Sequence, residues 1–445
     1  MEARYAAVKA LGAYRRGKAL PRAALDAITA ERGMTQIDTA LAMQILYGVI
    51  RNIAYCDYIA SSFSSIMLGN LQPQVLDILR ASIYQIIFLD RIPHSAAVNE
   101  GVKLAAKLAN PKAAGYVNAL LRRVAESSER GLIPEVADED ERKRLSVRYS
   151  HPEWLTRELF ELLGRDGAEK FLRMNNNPVV SLSAQVNTLL TDTGSVLEML
   201  LADGIDAAPH EWLEDCIVLK NTGRISHMEA YIKGFMYIQD AAARLAVIAA
   251  EPHPGDIVID ACAAPGGKSF ASALIMRNTG RLIACDIKAS KLSKITEGAE
   301  RLKLSIIECV EKYAMHIDES LVSSADVVLA DVPCSGIGVI RRKPDIRYKP
   351  YSEINELPTI QKNILFNLAS YVKPGGTLLY STCTVLMREN EEVIEEFLAL
   401  NPEFSPAEFT LPKIGFISDG MVTLWPQTHG VDGFFICRLK RNVRG

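Results

Sequence analysis

The stretch Ala325–Ile346, ADVVLADVPCSGIGVIRRKPDI, decides how the rest of the chain is read. Ala325–Leu329 is a short apolar run rich in valine, the pattern of a buried strand. Pro333 cannot donate to a sheet ladder, so the strand ends there. Asp331 and Cys334 are thereby delivered at a strand's carboxyl end. Thr377–Tyr380 repeats the arrangement, running into Tyr380–Thr384 (YSTCT) and delivering Cys383. Open α/β sheets bind ligands outside those ends. Cys334 and Cys383 are expected to face one substrate there, with Asp331 between them.

Outward from this stretch, strands and helices alternate from Gly234 onward. Strands are predicted at Ile257–Asp260, Leu282–Cys285, Ser305–Val310, Ala325–Leu329, Thr377–Tyr380 and Phe434–Leu439, with helices between most of them. Such alternation predicts a parallel, doubly wound α/β sheet of Rossmann-like type over residues 236–445. Residues 146–235 read as a small α+β (ferredoxin-like) domain. Its helices are Trp154–Leu163, Ala168–Met174 and Val196–Ala202, and its strands Val179–Asn187 and Cys216–Leu219. Residues 129–145 are polar and charged and read as a linker. Residues 1–128 read as an all-α bundle, with apolar positions recurring at helical spacing and a break at Asp90-Arg91-Ile92-Pro93. The fold class is therefore multidomain.

Composition narrows the partners. The chain has 445 residues, enough for two or three cores, and is 49% hydrophobic and 23% charged. No apolar run approaches the roughly 20 residues needed to span a bilayer, and the N-terminus has no signal core, so a cytoplasmic protein is expected. None of the eight cysteines sits in a C-x-x-C pair, which argues against zinc, and no metal is expected. Net charge is −3, yet residues 1–130 carry 16 Lys/Arg against 10 Asp/Glu, or +6, leaving −9 for the rest. The basic front portion is where phosphate contacts are expected.

Asp260–Lys268 (DACAAPGGK) follows the first strand of the large sheet and opens a helix. Its small residues and glycines let backbone approach a ligand. It matches neither the dinucleotide fingerprint nor the P-loop. Asp286 ends the second strand, where an acid suits ribose hydroxyls. A nucleoside-bearing cofactor without a pyrophosphate fits, and S-adenosylmethionine is favoured over NAD. The two strand-end cysteines point to covalent catalysis. Carbon 5 of cytosine is a poor nucleophile, and a thiolate adding at carbon 6 makes it reactive. Asp331 is placed to share a proton at N3. Residue types alone do not say which cysteine attacks. The other cysteines, Cys56, Cys216, Cys285, Cys309 and Cys437, read as small buried hydrophobes.

Two resemblances sharpen this. YQIIFLDRIPHSAAVNEGVKLAAKL followed by GYVNALLRRV resembles the NusB-type RNA-binding domain, which implies Arg15, Arg16, Lys103, Lys107, Arg122 and Arg123 as phosphate partners. DACAAPGGKS, Cys285-Asp286, DVPCSGIGVIRRKPDI, YSTCT, Gln239-Asp240 and Gly430–Phe435 resemble the RNA cytosine-5 methyltransferases of the Nol–Nop–Sun family. The NusB-like front end resembles that of its bacterial members acting on 16S ribosomal RNA. The resemblance implies a class I methyltransferase domain that binds S-adenosylmethionine through Ala261, Cys262, Ala263, Ala264, Pro265, Gly266, Gly267, Lys268, Asp286, Glu311 and Asp331. Glu311 stands for an acid that the family places near adenine. It implies Cys383 as nucleophile and Cys334 as the group that helps product leave, with Asp331 and Lys268 at the base. Arg341, Arg342 and Lys343 are expected to grip flanking RNA. The family usually shows Arg where Gln185 stands. Naked or partly assembled ribosomal RNA is the expected partner, and a monomer the expected state. Transfer RNA is the alternative substrate, and a catalytically silent RNA-binding assembly factor the alternative from another class.

Overall fold

The helical spacing of the first 128 residues is realised in seven helices among the described residues: Glu2–Arg15, Pro21–Glu31, Gln36–Arg51, Ile53–Phe63, Pro73–Phe88, His94–Leu108 and Pro111–Glu129. The breaks have local causes. Thr35 and Asn110 cap their helices by accepting from the backbone N–H of Asp38 and Ala113. Leu46, Ile50, Ile78 and Leu79 are fully buried at the centre. The computed structural model describes residues 1–178 and 181–443, so the first two positions of the expected strand Val179–Asn187 lie outside the described residues. It divides into a helical unit, Met1–Asn177 with Lys343–Tyr348, and a sheet unit holding the rest. No described helix is long and apolar enough to cross a membrane.

The stretch read as a linker ends in a helix, Glu141–Arg148, because Asp140 caps it and Leu145 is buried beneath it. The two helices expected next are halves of Glu153–Asn176, divided at Gly164, whose φ is 66°. Within the same unit, Lys343–Tyr348 inserts the fully buried Arg347 among three helix C-termini. Its guanidinium donates to the carbonyls of Arg51 (3.1 Å), Ser150 (3.0 Å) and Asn175 (3.3 Å) and to Asn176 Oδ1 (2.9 Å). Carbonyls left over at helix ends carry partial negative charge and suit a cation. Burial lowers the Arg347 pKa to about 10, still far above neutrality.

The sheet unit begins with a four-stranded antiparallel sheet. Its strands are β1 (Ser181–Val186), β2 (Asp206–Pro209), β3 (Cys216–Lys220) and β4 (Met236–Ile238), in the order β2-β3-β1-β4. Gln185, where a phosphate-gripping arginine was the comparison, is buried and donates to Gln239 O (3.2 Å). The large sheet follows: β5 (Ile257–Asp260), β6 (Arg281–Asp286), β7 (Ile307–Glu311), β8 (Ala325–Asp331) and β9 (Val372–Thr382) are parallel. β10 (Phe404–Pro406), β13 (Met421–Leu424) and β14 (Phe434–Arg441) add an antiparallel edge, so the sheet is mixed rather than wholly parallel. A two-stranded hairpin, β11 (Phe409–Leu411) with β12 (Gly415–Ile417), stands apart from it. The order β10-β14-β9-β8-β5-β6-β7 puts β8 between β9 and β5, at the reversal where such sheets bind ligands. The apolar run of β8 is buried on both faces, as a central parallel strand requires.

Candidate functional site

Register brings the two motifs together. In the parallel pair β8–β9, Asp331 lies opposite Ser381, so the turns after both strands open on the same side. Cys334 Sγ and Cys383 Sγ are 3.2 Å apart. That separation leaves no room for Asp331 between them, contrary to expectation. Asp331 instead stands beside the pair: its Oδ1 accepts from Ser381 Oγ (2.9 Å), and its Oδ2 holds Lys268 Nζ at 2.7 Å. Lys268 is the second residue of the helix Gly267–Ile275, whose entry bends at Gly266 with φ 105°, a conformation suited to glycine. Its ammonium also lies 5.1 Å from the centre of the Phe434 ring.

The electrostatics assign protons. Burial alone would lower the Lys268 pKa, but Asp331 and then Asp260 outweigh it and the ammonium is held charged. The Cys334 thiol is pushed well above its usual range, first by its hydrogen bond with Cys383 and then by burial. Burial raises Asp260 to about 6, against the opposing effects of Ser269 and Lys268. The cysteine turns are also laced through backbone. Gly338 N–H donates to Cys383 O (3.0 Å) and Gly433 N–H to Gly338 O (2.9 Å). A Cβ at Gly338 would sit 1.9 Å from Gly433 O, so that position admits only glycine.

A cavity of about 250 Å³ at the end of β8 is lined by Ala261, Cys262, Ala264, Asp286, Asp331 and Pro333, the residue before Cys334. The small side chains let a ligand lie against the β5 turn, and Asp286, almost buried at the end of β6, offers a carboxylate to hydroxyls. Asp260 Oδ1 and Gln239 Nε2 are buried without a hydrogen-bond partner, but neither residue lines the cavity. The lining fits S-adenosylmethionine, which supplies an electrophilic methyl group when bound. The wall after β7 is built by Lys312, Tyr313 and Ala314. Glu311, expected at the adenine, is exposed and is not among the residues that line this wall. Tyr313 offers a ring there, a contact that reading for an acid overlooks.

Not every basic residue singled out is free. Arg342 donates to Asp432 (2.7 Å) and Asp240 (2.7 Å), so its expected grip on RNA gives way to a structural tie. Arg341 is half-buried, whereas Lys343 is exposed. In the helical unit, Arg15 pairs with buried Asp77 (3.1 Å), Lys103 with Glu100 (2.9 Å), and Lys107 lies over the Tyr5 ring. Arg123 donates to Phe63 O (3.0 Å), Arg122 bonds Asn118 within its helix, and Arg16 is exposed. All eight cysteines are free thiols; Cys56, Cys216, Cys285 and Cys437 are buried, and Cys309 is partly exposed.

The chain matches the family model "16S rRNA methyltransferase RsmB/F" over residues 247–440, the NusB family over 1–126, and the RsmF/B-like ferredoxin-like domain over 151–226. A Bacillus subtilis relative is 35% identical across 98% of both chains. The ribosomal RNA small subunit methyltransferase B of Pseudomonas putida is 31% identical, covering 99% of this chain and 98% of its own. The chain belongs to the RsmB/F methyltransferase family. In structure, this RsmB/F member resembles crystalline PH0851 with a TM-score of 0.80, at 26% identity and 98% coverage of each chain. A methyltransferase homologue from Pyrococcus horikoshii gives a TM-score of 0.59 at 26% identity, over 68% of this chain and all of the other. As an RsmB/F protein it uses S-adenosylmethionine, and the strand-end cavity is the place that fits it.

Proposed function

We propose that this protein methylates carbon 5 of a cytosine in small-subunit (16S) ribosomal RNA, through a covalent bond between Cys383 and carbon 6. The reading rests on the thiol pair at 3.2 Å beside the Lys268–Asp331 pair. Cys383 attacks carbon 6 as a thiolate, and the C5–C6 electron pair becomes available at carbon 5. Asp331, fixed by Lys268 and Ser381, shares the proton that N3 takes up. Carbon 5 accepts the methyl group. A base then removes the carbon 5 proton, and the C6–S bond breaks to release Cys383. Cys334 is the nearest group for that elimination. A cytosine inside a helix must first be extruded, so naked or partly assembled RNA is the better substrate.

Denaturing gels test the roles, using unmodified small-subunit RNA and S-adenosylmethionine. Cys383→Ala is expected to give neither adduct nor 5-methylcytosine. Cys334→Ala is expected to accumulate a protein–RNA adduct. The reverse pattern exchanges the two thiols. A wild type that modifies only transfer RNA removes the ribosomal substrate.

A further inference from the structure

Glu389 is fully buried in a charged-looking run, Arg388-Glu389-Asn390-Glu391-Glu392. A carboxylate in such a place is costly unless hydrogen bonds satisfy it. Its partners come from both cysteine turns. Oε2 accepts from Ser335 N–H (2.8 Å), and Oε1 is 3.4 Å from Thr384 Oγ1. Ser335 and Thr384 are the residues immediately after Cys334 and Cys383, and their hydroxyls bond each other at 2.8 Å. Gln361 completes the clasp, its Nε2 donating to Glu389 Oε2 (2.9 Å) and to Pro333 O (3.0 Å) on the Cys334 turn. Tyr380 OH fixes the Glu389 carbonyl (2.5 Å), and Asn390 Nδ2 donates to Thr384 O (3.2 Å).

We propose that Glu389 is a positioning residue that sets the separation of the Cys334 and Cys383 thiols by holding the residue after each. The inference deepens the cysteine chemistry proposed above, but its geometry does not depend on the RNA. Without the carboxylate, Ser335 N–H and Thr384 OH lose their shared acceptor. The turns then relax apart, and the group that must act at Cys383's adduct moves out of reach. Misplacement by about 1 Å costs on the order of 100-fold in rate.

Phenylarsine oxide reads the separation directly, because it bridges two adjacent thiols through two As–S bonds and releases one water. On the full-length protein, intact mass and peptide mapping are expected to show one arsenical across Cys334 and Cys383, absent in Cys334→Ala. Glu389→Ala is expected to bind it at least tenfold more weakly. Its kcat should fall about 100-fold with the KM for S-adenosylmethionine unchanged, and covalent RNA adduct should accumulate. Glu389→Gln should restore both capture and turnover, because its carbonyl accepts from Ser335 and its amide donates to Thr384. Unchanged arsenical binding in Glu389→Ala, or no rescue by Gln, overturns the proposal. Should Glu389→Ala fail to fold, Thr384→Val removes one arm alone; weakened capture supports the clasp and unchanged capture overturns it. A wild type that captures the arsenical yet makes no 5-methylcytosine overturns only the cytosine reading.

Discussion

Two charge clusters in the sheet unit look alike in sequence and differ in which member meets water: the carboxylate in one, the cation in the other. Lys268 is almost buried, but the Asp331 side chain it holds keeps 31% of its surface exposed at the cavity. Arg342 sits between Asp432 and Asp240, whose side chains keep 8% and 18%. Its carboxylate partners come from β14's approach and from the end of β4, so it ties strands of two sheets. Asp432 is pushed up first by burial and then by Asp240, which makes the cation indispensable to that cluster. A pair with one wet member serves chemistry, because the wet group can meet a substrate. In the Arg342 cluster the exposed member is the cation, at 27%, and two carboxylates already occupy it, so it serves the fold.

The difference can be broken open by substitution. Lys268→Met is expected to cut methylation by about 10²- to 10⁴-fold, the scale of a lost proton-handling partner. Because Asp331 retains water and Ser381, urea unfolding should shift by ~1 kcal/mol or less. A stability loss as large as the activity loss would merge the two clusters. Arg342→Met should do the opposite, destabilising by about 3–5 kcal/mol through two uncompensated carboxylates. RNA affinity of the folded protein, followed by filter binding, should stay within about twofold, since the guanidinium is already occupied. Asp260 sharpens the comparison by pH. Its native pKa of about 6 stands above the ordinary 3.8, so its contribution is fully present below about pH 4 and is lost as pH rises through 6. Wild type is therefore expected to lose about 2.4 kcal/mol relative to Asp260→Asn between pH 4 and pH 7, read from urea midpoints. A flat difference would place the Asp260 carboxyl in water.

The strand ends, the cofactor turn and the helical bundle were legible because each is written locally. An apolar run stopped by Pro333, or small residues ahead of Lys268, needs no distant information. The antiparallel edge was less legible: β10 and β13 are three and four residues long, too short for alternation to register, as are the three-residue strands of the β11–β12 hairpin. Arg342 was misread because its partners lie 90 and 102 positions away. Without them, a basic residue after a catalytic turn reads as a phosphate ligand. Glu389 hid in a charge run of the kind that is usually solvated. Only the crossing of two turns over one carboxylate reveals it. Gln185 shows the converse, a polar residue whose departure from the family pattern is explained by burial against Gln239.

Arg347 has a consequence in time. The helical unit's own helices end with Glu153–Asn176, yet the guanidinium that satisfies their carbonyls lies 171 positions beyond Asn176. At ~5–20 residues per second, a ribosome takes roughly 9–34 s to make that interval. Throughout it, the nascent bundle has an open socket of helix-end carbonyls facing water. The last piece of the first-made unit is thus delivered by the same chain segment that follows the Cys334 turn. Synthesis has passed the residues that include Cys334 before the bundle can close.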